Sequence, residues 1–90
     1  MSDQRHVDLE MRLAAIEHLL MRVHAIILVT NTPDQQTLER GLDRLAEHAA
    51  GQMFPGLNAA LSDHATDEFG RAVRRLLEGT KAVAAQLRAP

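Results

Sequence analysis

Five histidines are the first candidates for chemistry in this chain. His6 precedes Glu10 by four residues and His64 precedes Glu68 by four, a spacing that puts each pair on one helical face. Neither pair has a third donor close by in sequence, and bound zinc takes at least three protein ligands. The Glu-x-x-His pairs of di-iron helix bundles are absent, as is His-Glu-x-x-His. Both pairs therefore read as surface hydrogen bonds, and no metal or cofactor is expected. His18, His24 and His48 stand singly.

Nucleophilic catalysis finds no support either. Ser2 and Ser62 are the only serines, and neither sits in a Gly-x-Ser-x-Gly turn. Gly51, Gly56, Gly70 and Gly79 do not form a phosphate loop. With no cysteine there is no thiol nucleophile, disulfide or zinc-thiolate site. Catalytic activity is not expected.

Charge offers a second possibility. Residues 30–68 carry two arginines against seven acids, whereas residues 71–90 carry five cations against Glu78 alone. Arg71, Arg74, Arg75, Lys81 and Arg88 are able to touch phosphates. Cations near a helix C-terminus also suit its macrodipole, and that reading is preferred. A helix-turn-helix would need a turn of three to four residues, which residues 51–61 exceed. Nucleic-acid binding through Arg71, Arg74, Arg75 and Lys81 is kept as the alternative function.

The elements behind these residues are helical. Phe54 and Phe69 are the only aromatic residues, while alanine occurs 14 times. Such a composition disfavours strands and favours helices. Ninety residues make one domain, residues 1–90. Nine arginines against one lysine match the composition of a GC-rich bacterial genome.

A first long helix is expected from about Asp3–His6 to Thr30. Thr32 is read as the N-cap of the second helix, with Pro33 at its first position and Gln35 closing a capping box. That helix spans residues 33–50, and Gly51 follows it. Gly41 inside it costs about 1 kcal/mol relative to alanine, unless another backbone approaches closely there. A short helical turn is expected at 57–62. The last helix should begin between Ser62 and Thr66 and reach Leu87. The result is an all-α, elongated three-helix antiparallel bundle, with Phe54 capping one end of its core.

The first helix carries two apolar stripes, both with heptad spacing. Leu9, Leu13, Ile16, Leu20, Val23 and Ile27 form the bulkier one. It is expected to make the core with Leu38, Leu42, Leu45, Phe69, Val73, Leu76 and Val83, so that helices 2 and 3 together cover one side of helix 1. The second stripe, Val7, Met11, Ala14, His18, Met21, Ala25 and Leu28, is then left without a partner. An apolar strip of this length marks an interaction surface. Self-association follows as the expected function, a homodimer being the commonest form, with another helical protein as the other partner. A two-fold mate would bring His18 near its copy, and protonation would then weaken association. The longest uninterrupted apolar run, residues 25–29, is far short of a bilayer span, and the first residues do not resemble a signal peptide. No membrane contact and a cytoplasmic location are expected.

Overall fold

The computed structural model describes residues 2–89 of the chain. They form three helices: α1 (Ser2–Asn31), α2 (Gln35–Ala50) and α3 (Ala59–Arg88). Helix direction alternates along the chain. Glu17 meets Arg75 and Thr32 meets Arg88, so α1 and α3 run the same way, while Asp43 meets Lys81 on the antiparallel α2. The fold is the expected all-α, elongated three-helix arrangement.

The α1–α2 turn has a different cap from the expected one. Pro33 disfavours helical geometry at Thr32, so α1 stops at Asn31. The last carbonyls of α1 then lack amide partners. Side chains reinforce the turn before them: the Thr30 hydroxyl donates to the Ile26 and Ile27 carbonyls, Asn31 Nδ2 donates to Ile27 O at 2.7 Å, and the Thr32 hydroxyl donates to Leu28 O at 2.6 Å. Thr32 is thus committed to the end of α1. Asp34 caps α2 instead, its Oδ1 accepting from the Thr37 amide at 2.7 Å. A carboxylate answers the positive end of a helix better than a hydroxyl does. Gln35 closes no box; its Nε2 donates to Glu39 Oε2 and to the Lys81 carbonyl.

The second connection ends earlier than expected. Gly56 adopts φ +94°, a region open to glycine at little cost. Asn58 then caps α3 through its Oδ1, which accepts from the Leu61 amide at 2.9 Å. Residues 59–62 are therefore the first turn of α3, and Ser62 and Thr66 lie inside it. The connection is fastened by Thr66 Oγ1 donating to Gln52 O, and by Phe54 and Phe69 meeting edge to face at 5.3 Å. Phe54 is half-buried against Phe69, which is itself exposed and lies outside the core.

The largest departure concerns which side of α1 the other helices cover. α3 packs against both α1 and α2, and these two barely touch. The core is Ala25, Leu38, Leu42, Leu77 and Ala84 with Thr80, and Leu28, Val29, Ala46, Val73 and Val83 pack around it. α3 takes the middle because its facing side chains are small. Met21 of α1 lies directly over Gly79, where a Cβ would overlap the Met21 sulfur. Thr80 hides its hydroxyl by donating to Leu76 O at 3.0 Å. Leu9, Leu13, Ile16, Leu20, Val23 and Ile27 are consequently not core residues; all six are more than half exposed. Leu45 and Phe69 are also exposed, because α1 does not reach across to cover them.

The shape is a plate of 46 × 33 × 13 Å with a radius of gyration of 15.8 Å. A compact chain of this length would give about 12 Å.

Candidate interaction surface

α1 carries more aliphatic surface than α3 covers. Taking Leu13, Leu20 and Ile27 as heptad a and Leu9, Ile16 and Val23 as d, the side facing α3 is b and f: Met21, Ala25 and Leu28. Seam positions a and d point elsewhere. So do Leu19 and Ile26, at position g. These eight aliphatic residues have relative exposures of 52–62 %.

The seven residues of the expected contact stripe fall into two groups. Val7, Met11, Ala14 and His18 are exposed, Met21 and Leu28 are half-buried against α3, and Ala25 is fully buried. Ala25 is therefore a core residue and not a contact residue. Its small side chain lets α1 approach the equally small face of α3. The exposed apolar surface is the bulkier stripe, and the signal for this lay in α3, where Gly79, Thr80 and Ala84 accept a close neighbour.

Area gives the surface its scale. The chain exposes 6889 Å². A compact protein of this mass exposes about 5,200 Å². The surplus of about 1,700 Å² is twice what one partner contributes to a standard interface.

The other sequence candidates are placed as follows. His6 Nε2 lies 2.9 Å from Glu10 Oε1 on the surface of α1. His18, His48 and His64 are exposed on separate helices, and His24 is half-buried on α1. Among the described residues no group of three potential ligands could hold a metal ion. Of the cations, Arg71 pairs with Glu68 at 2.9 Å, and Arg75 pairs with Glu17 at 3.0 Å across the α1–α3 contact. Lys81 binds both Asp43 and Glu78, and these hydrogen bonds, led by Asp43, hold its ammonium above the usual lysine range. Arg88 donates to the Thr32 carbonyl and hydroxyl, tying the end of α3 to the α1–α2 turn. Arg74 lies beside Arg71 along an open groove with Asp67. Arg75, Lys81 and Arg88 thus link separate elements, whereas Arg71 pairs within α3 and Arg74 faces the groove.

α1 also has the length and composition to cross a membrane. Helix Asp3–Asn31 contains an 18-residue stretch of mean hydropathy 1.6, of which 6 % is buried. The longest uninterrupted apolar run is a poor guide here, because isolated charged residues end each run without removing the apolar character of the whole.

Comparison with protein-family models, with characterised proteins and with solved structures finds no match.

Proposed function

We propose that this protein acts by association and not by catalysis, assembling with copies of itself through the exposed seam of α1. One observation carries the reading: Leu9, Leu13, Ile16, Leu19, Leu20, Val23, Ile26 and Ile27 are each more than half exposed along a single helix. A continuous strip of this kind exceeds what an isolated soluble chain normally leaves in water. The surplus area supports the same reading, and copies of one chain are the commonest partners. A role as a small regulator, adaptor or assembly factor fits such a module.

Self-association is favoured over membrane insertion by the polar residues distributed along α1. Glu17, His18, Arg22 and His24 interrupt the apolar sequence, and an arginine at the centre of a span costs about 2.5–3.5 kcal/mol. Glu17 is already engaged by Arg75. An assembly between copies can keep these groups at its wet margins.

Light scattering tests the proposal. The wild-type chain should have a mass that is a multiple of 9.9 kDa at micromolar concentration. Ile16→Glu with Leu20→Glu should return it to a single chain with its helical circular dichroism kept. A wild-type mass of one chain at tens of micromolar would end this reading.

A further inference from the structure

Resting on that self-association, we infer that the α1 helices of neighbouring copies lie parallel and in register, in a coiled coil of more than two strands. The first argument is charge. The two flanks of the a/d seam differ in sign. Position g holds Arg5, Arg12, Leu19 and Ile26, and position e holds Asp3, Glu10, Glu17, His24 and Asn31. In a parallel coil, a g residue faces the e residue five places further along the neighbouring helix, and such pairs set orientation. Arg5 then faces Glu10, and Arg12 faces Glu17, in every contact between chains. An antiparallel pair brings like flanks together. With α1 fully overlapped, Glu17 would meet its own copy, and the stems of Arg5 and Arg12 would lie against Ile26 and Leu19. The Arg75 contact does not block the parallel pairing, since a carboxylate can accept from two arginines.

The second argument is the room left by the fold. α3 sits on the b and f side of α1, half-covers Glu17 and His24 at e, and leaves a, d and g open. The coil can therefore form without undocking α1 from its own chain.

The third argument concerns strand number. The two central heptads place leucine at a (Leu13, Leu20) and β-branched residues at d (Ile16, Val23). Leucine at a with isoleucine at d shifts preference beyond two strands. Leu9 at d and Ile27 at a carry the two-stranded pattern at the ends. The balance is tipped by Leu19 and Ile26, which widen the apolar seam to the g flank, where a two-stranded coil leaves side chains wet. A closed ring gives each chain two neighbours, so that the g flank is covered as well as the a and d seam.

The absence of native cysteine makes orientation directly measurable. His6 is an exposed a position near the start of α1. In a parallel, in-register coil the His6→Cys chains bring their new thiols into one layer, and mild oxidation should convert most of the protein into disulfide-linked pairs. In a fully overlapped antiparallel pair the two thiols lie about 36 Å apart, and an equal mixture of His6→Cys and Thr30→Cys chains should cross-link instead. Charge exchange is the second readout. Arg5→Glu alone and Glu10→Arg alone should each weaken assembly about tenfold, and the double variant should recover to within about twofold of wild type. Residues five apart do not face each other within one helix, so the recovery would report a contact between chains.

Linked pairs from His6→Cys, recovery in the double variant and a wild-type mass of three or four chains would support the inference. A mass of two chains would overturn the strand number. Assembly with cross-linking only in the mixture would overturn the orientation and leave self-association standing. A wild-type mass of one chain would remove both, and flotation of that single chain with phospholipid vesicles would assign the seam to a membrane.

Discussion

The docking of α1 on α3 can be tested by making one substitution at two glycines. Gly41 and Gly79 both lie inside helices, so alanine should favour the folded state at each by about 0.5–1 kcal/mol. Their surroundings differ. A Cβ at Gly41 meets nothing within 4 Å, whereas a Cβ at Gly79 would overlap the sulfur of Met21 and come within 3.6 Å of its Cγ. Met21 is flexible enough to swing aside without prising the helices apart, but it would lose its packing. Overpacking of this kind costs about 1–3 kcal/mol. Gly41→Ala should therefore raise stability by up to about 1 kcal/mol, and Gly79→Ala should lower it by about 1 kcal/mol. Removing the obstacle should reverse the second sign: in a Met21→Ala background, Gly79→Ala should stabilise by about 0.5–1 kcal/mol. The coupling between the two sites is then about 1.5–2 kcal/mol, within the range for residues in direct contact. Urea unfolding followed by far-ultraviolet circular dichroism, at one fixed protein concentration, measures all five chains. If Gly79→Ala stabilises the otherwise wild-type chain as much as Gly41→Ala does, Met21 does not sit over Gly79, and the exposed side of α1 would have to be assigned again.

Three further expectations follow from the caps and ion pairs. The Thr37 amide holds the Asp34 carboxyl below the usual aspartate range, so its contribution is present above that range and lost as pH falls through the lowered value. Asp34→Asn keeps a capping oxygen, and its urea midpoint should fall less than wild type between about pH 4 and pH 2; identical curves would remove Asp34 from the acid response. Lys81 behaves in the opposite sense: its raised value makes its contribution complete below the ordinary lysine range and lost as pH rises through the raised one. Lys81→Met should therefore flatten the alkaline limb of the same titration. Arg88→Ala removes two hydrogen bonds to Thr32 and should cost about 1–2 kcal/mol in urea unfolding. Finally, Arg71→Glu with Arg74→Glu, both away from α1, should leave any assembly through α1 in place, and the wild-type chain should give no electrophoretic mobility shift with DNA or RNA at low salt.

The number of helices and their order were legible because local chemistry marks them. Pro33 ends α1, Gly51 and Pro55-Gly56 bound the second connection, and α2 has a single apolar face whose Leu38 and Leu42 are buried as expected. The individual caps were less legible, since several residues compete for each. Thr32 and Asp34 both suit a helix start, and the outcome depends on Thr32 donating back to Leu28. Asn58 precedes Ser62 and Thr66, and its claim rests on the turn at Gly56 that delivers it. The docking face of α1 could not be read from α1 at all. Both of its stripes fit a heptad, and ranking them by bulk puts the larger aliphatic residues inside. The deciding residues are Gly79, Thr80 and Ala84, sixty places later, which make a shallow face on α3 that Met21 and Ala25 can approach.

That reversal strengthens the case for a partner. Had the bulky stripe faced α3, the strip left over would have been Val7, Met11, Ala14, His18, Met21, Ala25 and Leu28, a less bulky surface with less to gain from a partner. Instead the chain places its smallest side chains against itself and presents its largest aliphatic ones outward, at the edge of a plate 13 Å thick. α2 does not cover them, since it lies on the other side of α3. Burying the seam requires something from outside the chain. The alternation of arginine on one flank with glutamate on the other matches another copy of the same helix, since each chain then carries both halves of every pair. A bilayer would bury the aliphatic residues but gain nothing from that arrangement of charge.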